Sequence, residues 1–326
     1  MSHVLVTGAT GFTGGHLVRR LLREGWRVRV LVRTQPAAQR WQADGAEAVL
    51  GDLTDAHAVD RAVAGCELVF HVAALYRTDN VPDHLFRAVN VEGTRHLLAA
   101  AQRHEVRRVV HTSTVGVHGH IAHPPADESY PFGPRDSYQR SKCEGERVAR
   151  QCFANGLGGT IVRPVGIYGP GDTRFLKLFR LIARGRFVML GRGETLYHMT
   201  YIDDLIDGML LCAQHPAAPG QAFIIAGEQA VTLNELIRRI AAALEVPVPR
   251  AHLPLWPFQA AAPVCQRVCR AIGIEPPLYP RRLEFFSDSR AFTIDKARRL
   301  LGYQPRVGLD EGIRRTIAWY REQRML

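Results

Sequence analysis

The chain is nearly without lysine. Three of its 42 basic residues are lysines, Lys142, Lys177 and Lys296, and the rest are arginines. It has no run of ~18 apolar residues, so no bilayer-spanning helix is expected. Its opening stretch, "SHVLVTGATG", reads as the start of a strand and lacks the charged-then-apolar layout of an export signal. The cysteines Cys66, Cys143, Cys152, Cys212, Cys265 and Cys269 form no C-x-x-C pair. That spacing excludes a zinc ribbon and favours reduced thiols in a cytoplasmic protein over a disulfide frame. No metal site is expected, and no internal repeat or low-complexity tract is visible. A nucleic-acid motif is also missing. The net charge of +11 comes from arginines spread along helix-like segments, so no nucleic-acid partner is expected. The same charge would steer phosphorylated or carboxylated ligands, or favour an anionic membrane surface.

What is present is an ordinary globular composition, 46% apolar over 326 residues, enough for one large domain or two unequal ones. Short β-branched runs recur through the first half: "HVLVT" (3–7), "RVRVLV" (27–32), "AEAVL" (46–50), "ELVFHV" (67–72), "RRVVHT" (107–112) and "GTIVR" (159–163). Helical patterns such as "GGHLVRRLLREG" lie between them. Alternation of this kind implies an α/β fold, a Rossmann-type doubly wound parallel sheet with helices on both faces. Past residue 170 the pattern turns irregular and prolines increase. The expected organisation is a dinucleotide-binding domain over residues 1–170 and a smaller, mostly substrate-binding C-terminal region over 171–326, some of whose segments return to the sheet. "HPPADESYPFGP" (123–134) is a loop by composition.

Gly8, Gly11 and Gly14 follow the first run and open the first helical pattern in a G-x-x-G-x-x-G spacing. Glycines there allow a tight turn and let backbone approach a pyrophosphate seated on a helix N-terminus. An NAD site would carry an acid at the end of the second run, for the ribose 2′-hydroxyl. This chain has Val32 followed by Arg33, and an arginine suits a 2′-phosphate. NADP is therefore the expected cofactor, with NAD the alternative. Further on, "YQRSK" places Tyr138 and Lys142 four residues apart, one turn apart on one helix face. A cation so placed favours a phenolate and lowers a tyrosine's ordinary pKa of ~10. The plainer reading of that spacing is a solvated helix face.

Taken in order, "TGATGFTG" (7–14), "GDL" (51–53), "HVAA" (71–74), "NVEGT" (90–94), "TST" (112–114), "YQRSK" (138–142), "RPVGIYGPGD" (163–172) and "YIDDL" (201–205) run nearly end to end. In these motifs the chain resembles the extended short-chain dehydrogenase/reductases, the group of NAD(P)-dependent epimerases, dehydratases and 3β-hydroxysteroid dehydrogenases. The resemblance implies a catalytic set of Thr114, Tyr138 and Lys142, with Ser113 the neighbour that competes for the hydroxyl role. It implies cofactor contacts from Gly8, Thr10, Gly11, Phe12, Thr13 and Gly14 in the turn, from Arg33, and from Asp52 and Leu53 at the adenine. His71, Val72, Ala73 and Ala74 would line the cofactor, joined by Thr112, Tyr138, Lys142, Pro164 and Val165. Asn90 would tie a helix to the sheet. Tyr76, Thr114, Gly166, Trp256 and Arg281 would meet the substrate.

Many nucleotide-sugar members of that group carry an asparagine three residues before the glycine of the "YGP" element. This chain has Gly166 there, which counts against a nucleotide sugar. The sterol-type members are more similar in "RPVGIYGPGD" and in "AHLPLWPF" (251–258). The late segment 254–282 is apolar, aromatic and broken by prolines, and it ends in Arg281 and Arg282. It is expected to be helical over the cleft, with Trp256, Phe258 and Val264 facing inward, as a packed cap, a lid for an apolar substrate or a peripheral membrane contact. The expectation is an NAD(P)-dependent oxidoreductase, most plausibly a homodimer, acting on a secondary alcohol or ketone of a large apolar, sterol-like or β-hydroxy acid substrate. A carboxylate β to the oxidised carbon would then permit decarboxylation. The alternative is a nucleotide-sugar epimerase, dehydratase or reductase.

Overall fold

The computed structural model describes residues 3–76, 81–274 and 276–326. The six β-branched runs become the strands β1 (His3–Thr7), β2 (Arg27–Val32), β3 (Glu47–Leu50), β4 (Leu68–His71), β5 (Arg108–Thr112) and β6 (Gly159–Pro164). Side chains alternate between the two faces of a strand, and both faces are covered. Val4, Val6, Val30 and Phe70 pack with the helices α1 (Phe12–Arg23) and Ile202–Gln214. Leu5, Val69, Val109 and Ile161 pack with the helices Ala56–Val63, Gly93–Arg103 and Ser137–Ala154. Burial on both faces is why these strands read as continuous β-branched runs and not as an alternating pattern.

The sheet is parallel throughout, in the order Ala222–Ile225, β6, β5, β4, β1, β2, β3. Chain order reverses between β1 and β4, which pair with Thr7 opposite His71. Ligands in such sheets enter the crevice beyond the strand C-termini at that reversal. The seventh strand, Ala222–Ile225, comes from beyond residue 170 and pairs with β6. Its outer edge does not stand open, because the buried Glu128 carboxylate accepts the Ile224 N–H at 2.8 Å. An uncovered edge would offer its backbone to another chain.

Outside the sheet, Gly166–Tyr168 pairs with Met199–Tyr201, Leu196–Tyr197 with Val231–Thr232, and Met189–Leu190 with His252–Leu253. The late apolar segment forms the helix Trp256–Ala271 and the start of the helix Pro280–Ser287, residue 275 lying outside the described residues. Its orientation corrects the expectation. Trp256 is 71% exposed and Val264 62%, while Phe258 is half-buried. The buried positions of the first helix include the small residues Ala262 and Cys269. Small side chains let the helix lie close to its main neighbour, Pro280–Ser287, and this turns the large ones outward.

Candidate active site

A cleft of about 720 Å³ opens at the C-terminal ends of the central strands, within the range of ~300–1,000 Å³ usual for small-molecule sites. The structure brings together there every residue expected to touch cofactor or substrate, except His71, Trp256 and Arg281. Trp256 stands in solvent on the late helix. Arg281 lies 3.6 Å from Asp136, an ion pair outside the cleft. His71 is buried beneath the cleft floor, where its ring joins a chain of hydrogen bonds.

That chain has a fixed direction. The Thr94 hydroxyl donates to Asn90 O at 2.8 Å, so toward His71 Nε2, 3.0 Å away, Thr94 Oγ1 must accept. Nε2 then carries the proton, and Nδ1 accepts from the Thr7 hydroxyl at 2.9 Å. Thr7 Oγ1 in turn accepts the Ala73 N–H at 3.2 Å. Burial, with Lys142 nearby, pushes the His71 pKa down to about 3, in keeping with a neutral ring of one tautomer. His71 therefore ties β1, the backbone after β4 and the Gly93–Arg103 helix together.

The glycine turn fits a dinucleotide. Gly8 has φ +78°, and a Cβ on Gly14 would lie 2.1 Å from Gly8 O, closer than any side chain allows. The turn thus brings α1 against the end of β1. Gly11 caps α1 without a side-chain hydrogen bond, which leaves the first-turn amides free to meet an anion. Across the cleft the Thr112 hydroxyl is buried without a partner among the described residues, a polar group of the kind a ligand satisfies. At the far end, Arg33 lines the cleft with its Nε 3.9 Å from Asp52 Oδ2.

Tyr138 and Lys142 lie on one face of the Ser137–Ala154 helix, whose N-terminus Asp136 caps by accepting the Gln139 N–H at 2.7 Å. The Tyr138 ring meets Tyr76 edge-on at 5.2 Å. Lys142 is buried and donates from Nζ to Thr112 O at 2.7 Å. Burial lowers its pKa to about 8, against the opposing pull of Glu146. Asn90 holds the same helix: its Nδ2 donates to Ser141 Oγ at 2.9 Å and to Leu75 O at 3.1 Å, and its Oδ1 accepts the Leu75 N–H at 2.7 Å.

A buried ion pair that the sequence reading did not single out fixes the helix to the sheet. Arg163 on β6 donates to both carboxylate oxygens of Glu146, at 3.0 and 2.5 Å. Both side chains are almost completely inaccessible. Burial alone would push the Glu146 carboxyl up, but Arg163 more than offsets it and holds the group ionised. Glu146 also accepts the Ser113 hydroxyl at 2.6 Å, so that hydroxyl is committed away from the cleft. Thr114 Oγ1 accepts the Gly116 N–H at 3.1 Å and keeps its own proton to donate.

The opposite wall contains residues absent from the sequence reading: Arg174, Phe175, Tyr197, His198, Arg290 and Phe292. Their proximity to "YGPGD" could have suggested Arg174 and Phe175. Nothing local marks the others, which arrive from separate parts of the chain. Tyr197 lies against Gly166, where an added Cβ would be 3.1 Å from its ring. The Arg174 Nε is 2.6 Å from Asp172 Oδ1, and Arg290 is 2.9 Å from Glu284. Both arginines reach the cleft already paired.

A model of the NAD dependent epimerase/dehydratase family matches residues 4–226. A Mycobacterium tuberculosis protein named 3 beta-hydroxysteroid dehydrogenase/Delta 5-->4-isomerase is 34% identical, over 98% of this chain and 90% of that one. A Stigmatella aurantiaca protein, named 4-hydroxy-2-methyl-3-oxo-4-farnesyl-3,4-dihydroquinoline-1-oxide ketoreductase, is 32% identical over 94% of this chain and 93% of its own. Among solved structures, the dTDP-glucose 4,6-dehydratase DesIV of Streptomyces venezuelae, with NAD bound, superposes with a TM-score of 0.77. It is 28% identical and covers 99% of this chain and 98% of its own.

Proposed function

The chain belongs to the NAD-dependent epimerase/dehydratase family, and from that premise we propose that it is an NAD(P)-dependent oxidoreductase of a secondary alcohol or ketone on a large apolar molecule. The observation that carries the substrate class is Gly166 beneath the Tyr197 ring. An asparagine side chain, which would help hold a nucleotide-sugar diphosphate, has no room at that position. Tyr76, Phe175, Tyr197 and Phe292 supply an aromatic wall instead. The pairing of Arg174 with Asp172 and of Arg290 with Glu284 leaves that wall without an uncompensated cation for a diphosphate. The two relatives named for a hydroxysteroid and a farnesylated quinoline agree in kind.

The glycine turn, Asp52, Thr112 and Lys142 would hold the dinucleotide, which when bound gives or accepts a hydride. The chain's own work is with the proton. Tyr138 gives its phenolic proton to a ketone oxygen, or takes the hydroxyl proton of an alcohol. The Lys142 ammonium, one turn away and desolvated, stabilises the phenolate. The Thr114 hydroxyl donates to the reacting oxygen and orients it toward Tyr138. Arg33, with no acid at the end of β2, supports NADP as the preferred dinucleotide. The second reading, a nucleotide-sugar enzyme, draws on the resemblance to the dTDP-glucose dehydratase structure.

The two readings separate in one assay. Purified protein is given NADPH or NADH with sterol-type and prenylated ketones, or with UDP- and dTDP-hexoses, and absorbance at the nicotinamide band is followed beside product analysis. Reduction of an apolar ketone is expected. Conversion of a nucleotide hexose with no net consumption of dinucleotide would overturn the proposal.

A further inference from the structure

The Trp256–Ala271 helix carries a stripe of large apolar side chains that nothing in the described protein covers. Trp256, Val264 and Val268 follow at intervals of four or eight residues, and Ile272 continues the row past the helix end. Val268 is 54% exposed and Ile272 64%. Residues one turn apart share a face, so these form one exposed strip and not scattered positions. Leu253 and Ile274, also exposed, flank it. Single exposed apolar side chains are ordinary, whereas a contiguous row marks an interaction surface.

The charge around the strip selects the partner. Residues 246–283 hold five arginines, at Arg250, Arg267, Arg270, Arg281 and Arg282, and one acid, at Glu275. That is a local balance of 5 − 1, or +4, over 38 residues. Arg250 and Arg267 are exposed beside the strip. A second copy of the chain would be a poor partner. A two-fold interface sets the same patch against itself, and would bring these arginines face to face with one acid per chain to answer them. An anionic bilayer surface answers both features, taking the apolar row into its acyl boundary and the guanidinium groups at its headgroups. The row is also too short and too polar on its other faces to span a membrane, and no helix among the described residues is long and apolar enough to do so.

The strip is joined to the cleft. The Trp256–Ala271 helix packs on the Pro280–Ser287 helix. Phe285 of the latter stacks edge-on with Tyr197 at 5.2 Å, and Tyr197 lines the cleft over Gly166. We propose that residues 253–274 form a peripheral docking face for anionic membrane, lying beside the mouth through which the substrate enters. The docking face rests on the exposed row and its charge, independently of the substrate class proposed above.

The test is sedimentation of the full-length protein with large unilamellar vesicles, either pure phosphatidylcholine or phosphatidylcholine with phosphatidylglycerol. Binding to the anionic vesicles should exceed binding to the neutral ones by about tenfold and fall with salt. The triple variant Val264→Ser/Val268→Ser/Ile272→Ser should lose at least about tenfold in vesicle binding, because the buried apolar area sets the affinity. Its melting temperature and its mass in analytical ultracentrifugation should be unchanged. In parallel, the fluorescence difference between wild type and Trp256→Phe should be quenched by bromine-labelled acyl chains. Equal binding by the triple variant, or an unquenched Trp256 on anionic vesicles, would overturn the docking face. A wild-type dimer that the triple variant splits would assign the strip to self-association instead.

Discussion

The two walls of the cleft are built from different material. On the glycine-turn side the shape is set by backbone: the end of β1, the turn pressed against α1, and the main chain after β4, all tied by hydrogen bonds through His71 and Asn90. On the opposite side it is set by side chains, Phe175, Tyr197, Arg290 and Phe292, delivered by short strands and connecting segments. Backbone walls hold one geometry whatever the neighbouring side chains are. Side-chain walls change with a single substitution. The first suits a ligand common to many reactions and the second a ligand particular to one, which is how one scaffold serves many chemistries.

The most severe challenge to this division is at Tyr138, which stands on the rigid wall but serves the variable ligand. Tyr138→Phe should lower turnover by roughly 10²–10⁴-fold while leaving dinucleotide affinity, read by fluorescence titration, within a few-fold. Retention of a tenth of the activity would remove the phenol from the chemistry. A second test concerns what the rigid wall costs. Lys142 titrates at about 8 in the folded protein, against an ordinary 10.5, because it is buried. Between those two values the unfolded chain binds the proton and the folded one does not, so stability rises with pH across that window. Below about pH 8 the folded protein carries a buried ammonium at a cost on the order of 3 kcal/mol. In urea unfolding, wild type should therefore gain on Lys142→Met by about that amount between pH 7.5 and pH 10.5. A constant difference would mean that Lys142 titrates as if in water. The smallest effect is at the open end of the rigid wall. Arg33→Asp should exchange a preference for NADP for one for NAD, shifting the ratio of dissociation constants by about tenfold, on the scale of an exposed charge-assisted contact. Unchanged binding of both would show that Arg33 faces away from the cofactor.

The same division governs what could be read from the sequence. The rigid wall was legible because its devices are local: a glycine spacing at a strand end, β-branched runs, a tyrosine and a lysine one turn apart. Asn90 was placed on a helix-to-sheet tie, and it clamps the backbone at Leu75 and the Ser141 hydroxyl. The Glu146–Arg163 pair was invisible because both residues sit among many exposed charges of the same type. Which glutamate becomes buried depends on a strand 17 residues further on. The late helix was correctly read as helical and wrongly turned. Periodicity identifies an apolar stripe, but whether protein or solvent faces it depends on which neighbour takes the helix's small residues. Trp256 and Arg281 left the site for that reason, and Tyr197 and Phe292 entered it unannounced.

One feature of the sheet bears on how the chain is made. β6 ends at Pro164 and its outer partner strand starts at Ala222, so 57 residues separate them. At ~5–20 residues per second, a ribosome needs roughly 3–11 s to deliver that partner. During this interval β6 is the rim of an unfinished sheet, its backbone donors and acceptors open to any other nascent strand. The Glu128 carboxylate, already synthesised, cannot yet fulfil its later role, since the Ile224 amide it accepts from does not exist. Slow codons or a chaperone acting between residues 165 and 221 would therefore influence yield more than the same intervention earlier in the chain.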